Sequence, residues 1–399
     1  MINCNEPWMP LKGIKIADFT QVIAGPACSM LLADMGAEVI KIEPLTGDFW
    51  RKPVSGSAFA NFNRNKRSLA VNLKNPKGHE VVMKIVERAD VFLENFTPGT
   101  MDKLALGYEK VSGVNPKIIY CSISGFGQEG PYRDRPGYDP VAQAMSGIMI
   151  NTGEPDGPPV RVLPTMVDYL SGNHMAYAIA LALMDREKTG QGKRIEIALL
   201  DVAIMQMGQF VAMYTMTGEL PKRMGSGYLA AAPYQAFETQ DGYVLLAVTT
   251  DEMWKNLCLA LKLDYLYANS KYASLAGRVK SRPELADEVN KITRRYKSKD
   301  LETLLVEGNV PCGRLMNIDE IIADPHVQFR KIMADVEDPQ RGTIKIIKTP
   351  IFVSGKLPEI KRRAPMIGEQ TAEILAELGY SQQEIKGFFE TKVAVEQKP

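Results

Sequence analysis

Over its first 200 residues the chain alternates between short apolar runs that are typical of buried strands and segments that carry helix signals. The runs IKIADF (14–19) and AEVIKIEP (37–44) are two such strands. The segment between them, GPACSMLLADMG, predicts a helix that begins at Gly25-Pro26 and is closed by Gly36. Strands that are separated by helices pair in parallel, so the alternation predicts an α/β fold with a parallel sheet covered on both faces.

The alternation continues to about residue 200. The segment 75–90 predicts an amphipathic helix, with Asn75 as its N-cap and Pro76 at its first position. A longer helix is expected from VDYLSGNHMAYAIALALMDREKTG and ends at Gly190. Three further strands are expected in the runs DVFLENF, KIIYCSIS and KRIEIALL.

The pattern changes after residue 205, where a polar, glycine-rich stretch is followed by two apolar runs that flank Asp241-Gly242. Such a pair of runs predicts a β-hairpin, and helical segments follow it to about residue 325. We therefore expect four parts: a large α/β domain at 1–205, a linker at 206–224, a smaller domain at 225–325, and a remainder at 326–399. The remainder is too small to fold alone, so we expect it to pack on the large domain or on a partner.

The composition is that of an ordinary globular protein, with 45% apolar residues and a net charge of +1. A charge so close to zero gives no general reason to expect nucleic acid or an anionic membrane as a partner. The longest apolar run, 175–184, is about half of the ~20 residues that a membrane span needs, and the opening residues carry no secretory signal. The five cysteines form no C-x-x-C pair, so we expect reduced thiols, no metal site and a cytoplasmic location.

Residues 125–130, GFGQEG, match the G-x-G-x-x-G pattern and follow a predicted strand. In a dinucleotide-binding fold the third glycine lies inside a helix that begins under the pyrophosphate. Here Pro131 and Pro136 follow closely, and such a segment does not form an apolar-faced helix. We therefore interpret it as an irregular loop at the carboxyl end of a strand, where ligands of such sheets bind. The sequence also lacks a G-x-S-x-G elbow and a Walker loop.

A basic run at 63–78, NRNKRSLAVNLKNPKG, permits two interpretations. Its cations could bind a multiply phosphorylated ligand, with the interleaved asparagines donating hydrogen bonds. They could equally form a solvated face. The cations are Arg64, Lys66, Arg67, Lys74 and Lys77.

Asp168 lies where a strand-like segment meets the long predicted helix. One interpretation is an N-cap aspartate. The other is a nucleophile, because a carboxylate at a helix N-terminus in apolar surroundings is held in place and partly desolvated. The residues alone leave both interpretations open.

Together these segments resemble the class III coenzyme A-transferases, a family that includes the formyl-CoA:oxalate, carnitine and benzylsuccinate CoA-transferases. The resemblance begins with LKGIKIADFTQVIAGPACSMLLADMGAEVIKIEP (11–44) and covers essentially the whole chain. The later matches, in order, are NRNKRSLAVNLKNPKG, ADVFLENFTPGTMDKLALGY, SISGFGQEGPYRDRPGYDP, MVDYLSGNHMAYAIALAL, TGQGKRIEIALLD, VPCGRL, DPHVQFR and RAPMIGEQTAEILAELG.

The resemblance implies that Asp168 is the catalytic aspartate. It further implies a set of residues that contact coenzyme A or lie beside the reacting thioester. This set is Val22, Ile23, Ala24, Val71, Lys74, Asn95, Phe96, Lys103, Tyr138 and Asp139. Two positions depart from the formyl-CoA enzyme, since Pro44 replaces an arginine that contacts the nucleotide and GSGYLAAAP (225–233) replaces a run of glycines that forms a lid.

The family fold implies a Rossmann-like large domain built from both chain ends, a smaller α+β domain, and two chains that interlock as a dimer. The implied reaction moves coenzyme A from an acyl-CoA donor to a carboxylic acid through an aspartyl mixed anhydride and an aspartyl-CoA thioester. Coenzyme A thioesters are then substrates, and no cofactor is permanently bound. We expect succinyl-CoA as the donor. The methionines and aromatic residues at 207–218 either form a helix core or line the acyl pocket, and in the second case they favour a bulky or aromatic acceptor acid.

Three alternatives stay open. The α-methylacyl-CoA racemases resemble this family in fold but use a histidine where this chain has Tyr138, and a tyrosine hydroxyl is a poor base at neutral pH. The chain could instead be one subunit of a hetero-oligomeric CoA-transferase. The third alternative, a nicotinamide-dependent oxidoreductase, would show bound nicotinamide by absorbance.

Overall fold

The computed structural model describes residues 8–52 and 56–398, so Cys4 and the opening residues of the chain lie outside the described part. The described residues divide into two compact units. The first combines residues up to Gly147 with Val162–Gln209 and residues from Gln328 onward, and the second combines Ile148–Arg161 with Phe210–Val327. The segment 148–161, which the sequence analysis assigned to the large domain, thus belongs to the second unit. The domain boundaries expected at 205, 225 and 325 stay predictions.

The strands, in chain order, are β1 (Lys15–Asp18), β2 (Glu38–Glu43), β3 (Lys66–Val71), β4 (Val91–Glu94), β5 (Ile119–Ser124), β6 (Lys193–Ala198), β7 (Tyr234–Glu238), β8 (Tyr243–Ala247), β9 (Cys312–Arg314), β10 (Met333–Asp338), β11 (Gly342–Ile347) and β12 (Ala394–Val395). The helices are α1 (Ala24–Asp34), α2 (Gly56–Phe62), α3 (Pro76–Val86), α4 (Thr100–Lys103), α5 (Tyr108–Val114), α6 (Asp139–Met145), α7 (Ile148–Asn151), α8 (Met166–Thr189), α9 (Leu199–Gln206), α10 (Gly208–Thr217), α11 (Asp251–Leu261), α12 (Asp264–Tyr267), α13 (Leu275–Lys280), α14 (Arg282–Thr293), α15 (Ser298–Glu307), α16 (Ile318–Ala323), α17 (Pro325–Arg330), α18 (Thr371–Glu377) and α19 (Gln382–Glu390).

The largest sheet has seven strands in the order β12-β3-β2-β1-β4-β5-β6. Neighbouring strands are parallel except β12, which runs antiparallel to β3. Strand β1 lies between β2 and β4, and its last residue, Asp18, is in register with Lys41 of β2 and Leu93 of β4. The predicted parallel sheet is confirmed. Its order places a topological switch point between β1 and β4, where ligands of open α/β sheets bind.

The sheet is buried along its central strands. Every residue of β4 and β5 is buried, as is typical of parallel strands without a solvent face. One hydrophobic core contains Leu69 of β3 and Phe92 of β4 together with Ile374 of α18 and Phe388 of α19. Residues near the end of the chain therefore complete the core that the first strands begin.

Two helix ends follow the sequence signals. In α3 the Asn75 side chain accepts a hydrogen bond from the Lys77 N–H at 3.0 Å, which confirms the predicted N-cap. Helix α8 ends at Gly190, whose φ of +69° lies in the left-handed region that favours glycine. Among the described residues, no single helix is long and apolar enough to cross a membrane, and one pair bent by 60°, α9 with α10, reaches that length and composition together.

Helices α1 and α8 pack at very close range in the first unit. Gly172 of α8 permits this, because a Cβ at that position would lie 2.6 Å from the Ala24 carbonyl oxygen and 3.0 Å from the Ala27 Cβ. The missing side chain lets the backbone of α8 lie directly against the first turn of α1.

The second unit contains the predicted hairpin. Strands β7 and β8 pair antiparallel with Asp241-Gly242 between them, and β9 adds a third strand beside β8. Its core includes Trp254, Leu285 and Leu305 from α11, α14 and α15. The segment 206–224, expected as a linker, contains helix α10.

The α1–α8 contact predicts opposite effects for the same substitution in two helices. Gly172→Ala should lower the free energy of unfolding by about 1–3 kcal/mol, because the new methyl group overpacks a contact that has no free space. Gly387→Ala in α19 meets no atom within 4 Å, so it should raise the free energy of unfolding by about 0.5–1 kcal/mol through helix propensity. Urea denaturation of both variants measures the difference, and a neutral Gly172→Ala would contradict the close packing.

Candidate active site

The loops that follow β1 and β4 are tied together at the switch point. Asn95, directly after β4, bonds the backbone of Gln21 in both directions. Its Oδ1 accepts from Gln21 N and its Nδ2 donates to Gln21 O, each at 2.8 Å. Two of the segments that the resemblance assigned to coenzyme A are thereby neighbours at the carboxyl edge of the sheet.

The turn after Gln21 has an unusual backbone. Val22 has a φ of +68°, which is rare for a β-branched residue. Ile23 is the N-cap of α1 and Ala24 is its first residue, and both side chains are buried. The first N–H groups of a helix have no partner within it, so this turn carries backbone donors that α1 itself does not use.

The other expected coenzyme A residues differ widely in exposure. The Val71 side chain is buried at the end of β3, while Lys74, three residues later, and Lys103, the last residue of α4, are exposed. Phe96 packs against the core of the first unit, and its N–H donates to Glu94 Oε2 at 2.8 Å. The side chain of Val71 is therefore not available to a ligand, whereas the two lysines are.

Asp168 is the third residue of α8, and the N-cap position belongs to Thr165. The N-cap interpretation is therefore wrong. The end of the helix is capped from a distance by Asp139, whose Oδ2 accepts from Val167 N at 2.8 Å and from Asp168 N at 3.3 Å. The other oxygen of Asp139 accepts from Gln143 Nε2 at 2.7 Å. Asp139 is thus fixed by hydrogen bonds to two helices.

This arrangement brings two carboxyl groups together in a buried place. Asp168 is 7% exposed and Asp139 is 1% exposed. Burial and the nearby charge of Asp139 raise the pKa of Asp168 to about 7. The Asp168 carboxylate is therefore more basic than an aspartate in water, as suits a nucleophile that attacks a carbonyl carbon.

The loop between β5 and α6 contains Tyr138, which is 63% exposed. Two glycines let the loop fold back on itself, because a Cβ on either Gly125 or Gly137 would lie 2.8 Å from the Cα of the other. Between the end of β5 at Ser124 and the start of α6 at Asp139 the chain forms no helix, so the segment 125–130 does not lead into a dinucleotide-binding helix. The interpretation of this segment as an irregular loop is confirmed.

Two cations of the basic run at 63–78 belong neither to a phosphate site nor to a solvated face. Arg64 pairs with Asp34 at 2.7 Å and Lys66 pairs with Asp18 at 3.1 Å, and all four side chains are buried. Arg67 pairs with two glutamates of α18. Both interpretations are wrong for Arg64 and Lys66. Arg67 is partly exposed in its ion pairs, and the last two lysines of the run are exposed.

The sequence analysis did not single out Glu94, the last residue of β4, as a buried ionisable residue next to the candidate site. Its side chain is buried in the first unit, and burial raises its pKa to about 7. A charged residue at the end of the apolar run DVFLE, directly before Asn95, was the available signal. Across residues 8–52 and 56–398, no group of three or more His, Cys, Asp or Glu side chains is arranged to hold a metal ion.

Comparison with known proteins adds the decisive observation. Residues 11–371 match the family model described as CoA-transferase family III. The chain belongs to this family. It is 37% identical over 382 residues to the succinate–glutarate CoA-transferase of Agrobacterium fabrum, with 92% of this chain and 96% of the relative covered. It is 38% identical over 384 residues to the succinyl-CoA:mesaconate CoA-transferase of Haloarcula hispanica, with the same coverage.

A solved structure agrees with the family assignment. The crystal structure of a CAIB/BAIF family protein from Brucella suis superimposes with a TM-score of 0.86 at 36% identity, covering 94% of this chain and 100% of that one. The protein is a CoA-transferase. Its large, mainly parallel sheet is consistent with the fold of this family.

The environment of Asp168 predicts that the CoA-transferase is more stable without this charge. The folded-state pKa of about 7 lies above the unfolded value near 4, so the native state binds more protons between these pH values. Its stability therefore falls as the pH rises through that window. Asp168→Asn should raise the free energy of unfolding at pH 8 by roughly 2–4 kcal/mol, and the gain should shrink toward pH 4.

Asp201 is the matched control, because it is the third residue of α9 and is exposed. Asp201→Asn should lower the free energy of unfolding by about 0.3–1 kcal/mol at both pH values, through its interaction with the helix dipole. Urea denaturation at pH 5 and pH 8 compares the two variants. A destabilised Asp168→Asn at pH 8 would show that the carboxylate is not buried against a like charge.

Proposed function

We propose that this CoA-transferase works by covalent catalysis, with the Asp168 carboxylate as the group that carries first the acyl group and then coenzyme A. The observation that carries the proposal is the place of Asp168. Its carboxyl group is buried in the first turn of α8, beside the anchored Asp139, and has a pKa of about 7.

The proposed reaction has two half-reactions. An Asp168 oxygen attacks the thioester carbonyl of the donor, the C–S bond breaks, and a mixed anhydride and the coenzyme A thiolate are formed. The thiolate then attacks the Asp168 acyl carbon, which gives an aspartyl-CoA thioester and releases the donor acid as a carboxylate. The acceptor carboxylate repeats these two steps in reverse and leaves as the new thioester. One thioester replaces another, so no external energy source is required.

The turn at 22–24 is our candidate for stabilising the oxyanions that form at each carbonyl. Gly172 lies four residues after Asp168, which is about 6 Å along the axis of α8. A Cβ on Gly172 would lie only 2.6 Å from the Ala24 carbonyl oxygen. The first turn of α1 and its unused N–H groups therefore lie close to the nucleophile. Preorganised donors of this kind contribute roughly 3–4 kcal/mol each to transition-state stability.

We assign the binding of coenzyme A to the switch-point loops and the exposed cations beside them. Asn95 and Phe96 follow β4, and Asn95 bonds Gln21, directly before the turn at 22–24. Lys74 follows β3, which is separated from β1 by β2 in the sheet. The exposed ammonium of Lys74 suits a phosphate, and we give Lys103 the same role. Tyr138 and Asp139 border the reacting thioester in this proposal.

For the substrates we propose succinyl-CoA as donor and a dicarboxylic acid as acceptor. The two relatives described above carry names that pair succinate with glutarate or with mesaconate, and all three are dicarboxylic acids. The aromatic acceptor expected from residues 207–218 stays a prediction, and the dicarboxylic acids take precedence over it.

We also propose that two such chains form a dimer, interlocked as the family resemblance implies. Tyr177, Leu181 and Met184 form an exposed apolar stripe at i, i+4 and i+7 on α8. Exposed apolar stripes of this kind mark protein interfaces. Native mass spectrometry distinguishes the dimer from a monomer and from an assembly with a second, related chain.

The covalent role of Asp168 predicts a mass change that maps to one side chain. Incubation with succinyl-CoA should give a coenzyme A or acyl adduct on Asp168, because the aspartyl-CoA thioester and the mixed anhydride both form from the donor alone. Asp168→Ala should lose the adduct and lower turnover by at least about 10³-fold, while its affinity for coenzyme A stays within a few fold. Asp201→Ala should keep both adduct and turnover. An adduct elsewhere, or full activity in Asp168→Ala, would overturn the mechanism.

The proposed acceptor class predicts a steep preference for a second carboxylate. With succinyl-CoA as donor, glutarate should have a kcat/KM at least about 100-fold above that of pentanoate, which has the same chain length. A site built to bind the distal carboxylate leaves its polar groups unpaired when the methyl end of pentanoate enters. Benzoate and mesaconate complete the panel. A higher kcat/KM for benzoate than for glutarate would restore the aromatic acceptor.

A further inference from the structure

The segment 20–26 leads from β1 into the first turn of α1. It contains the 22–24 turn, which is formed by Val22, Ile23 and Ala24. A valine with a φ of +68° is strained, and such a conformation persists only where the surrounding structure over-determines it. The groups that hold this turn are therefore part of the way in which the site is built.

Buried charges fix the start of the turn. The N–H and Oγ1 of Thr20 donate to Asp18 Oδ1 at 2.9 and 2.5 Å. The carbonyl oxygen of Thr20 accepts from Lys41 Nζ at 2.7 Å, and Lys41 is paired with Asp48 at 2.9 Å. Thr20 is thus held on one side by a carboxylate and on the other by an ammonium group.

Lys66 connects this anchor to the far end of the turn. Its Nζ donates to Asp18 Oδ2 at 3.1 Å, to Asn63 Oδ1 at 2.9 Å and to the Pro26 carbonyl oxygen at 3.2 Å. These three bonds use all three N–H groups of the ammonium. Asp18 Oδ2 also accepts from Ser29 Oγ at 2.6 Å, which adds the second turn of α1 to the same network.

The network has no solvent contact at its centre, since Asp18, Lys41 and Lys66 are all fully buried. Burial acts to raise the pKa of Asp18, but the ammonium groups of Lys66 and Lys41 hold it below its usual range, so the carboxylate is ionised. A buried ion pair adds little net stability over apolar side chains of the same volume, because desolvation offsets the attraction of the charges. The presence of these buried charges is therefore better explained by the backbone conformation that they impose on the turn than by a gain in stability.

We propose that Lys66, acting through Asp18 and the Pro26 carbonyl, is a positioning residue for coenzyme A transfer that holds the 22–24 turn in its strained conformation. The proposal rests on the proposed function, which assigns that turn to the thioester. Lys66 has no exposed surface and no free N–H, so it acts on the backbone and not on the substrate. Without it the turn relaxes, and thioester binding weakens.

The experiment compares two double variants of the full-length protein. Asp18→Asn/Lys66→Met removes the Asp18–Lys66 charge pair of the network, and Lys41 stays paired with Asp48, so that no unpaired charge is left in the core. The amide of the new asparagine still accepts from Thr20. Arg64→Met/Asp34→Asn removes a different buried pair, which bonds Thr349 and makes no hydrogen bond to residues 20–26. Ser29→Ala is a milder variant that removes a single hydroxyl from the first network.

Two measurements are made on each variant: hydrogen exchange of the 21–25 amides without ligand, and the KM for succinyl-CoA. In Asp18→Asn/Lys66→Met we expect at least tenfold faster exchange and at least fivefold higher KM, with kcat reduced less than the KM is raised. Ser29→Ala should shift both in the same direction by a smaller factor. Arg64→Met/Asp34→Asn should leave both within twofold of the unmodified protein, even where its Tm falls equally.

Unchanged exchange at 21–25, equal effects in the two double variants, or faster exchange with an unchanged KM would each overturn the proposal. Failure of the proposed function itself is separable, because it appears in the unmodified protein as the absence of an Asp168 adduct. If Asp18→Asn/Lys66→Met does not fold, the exchange and KM of Ser29→Ala decide alone, and values equal to those of the unmodified protein would overturn the role of the network.

Discussion

Strand β1 pairs in parallel with β2 on one side and with β4 on the other, and the position of the site follows from this pairing. Because the order of the strands reverses there, the loops after β1 and β4 leave the sheet in different directions and open a crevice between them. The bonds between Asn95 and Gln21 limit how far those loops separate. Helix α8, which carries Asp168 in its first turn, lies against the first turn of α1, because Gly172 has no side chain to keep the two helices apart.

Two aspartates of the first unit show how surroundings decide the chemistry of one residue type. Asp18 and Asp168 are both buried, yet Asp18 lies beside two ammonium groups, whereas Asp168 lies beside another carboxylate. The first is therefore held ionised and serves as a structural anion. The pKa of Asp168 is raised to about 7, so that its carboxylate is more basic than that of Asp18. The amino-acid type alone does not distinguish these roles, which depend on the charges that the fold brings near.

The parts of the structure that could be predicted from sequence are those that local periodicity determines. The strands β1 and β2, the cap of α3 at Asn75 and the hairpin at Asp241-Gly242 depend on neighbouring residues, and their predictions are confirmed. The cap of α8 depends on Asp139, 29 residues before Asp168, and no local pattern shows that pairing. A run of cations looks the same whether it is solvated or buried, so the ion pairs of residues 64 and 66 could not be recognised. Periodicity left the role of Asp168 open, and the catalytic role that the family resemblance implies for it stays a prediction.

The joining of distant segments in the first unit also bears on how the chain folds as it is synthesised. Strand β12, Ala394–Val395, pairs with the outer edge of β3, and helices α18 and α19 fill the core beneath it. During translation the early strands leave the ribosome with this edge unpaired and this core open. The second unit, whose residues end at Val327, has emerged completely before the missing pieces appear. Vectorial synthesis thus leaves the outer edge of β3 unpaired and this core open until α18, α19 and β12 have been made.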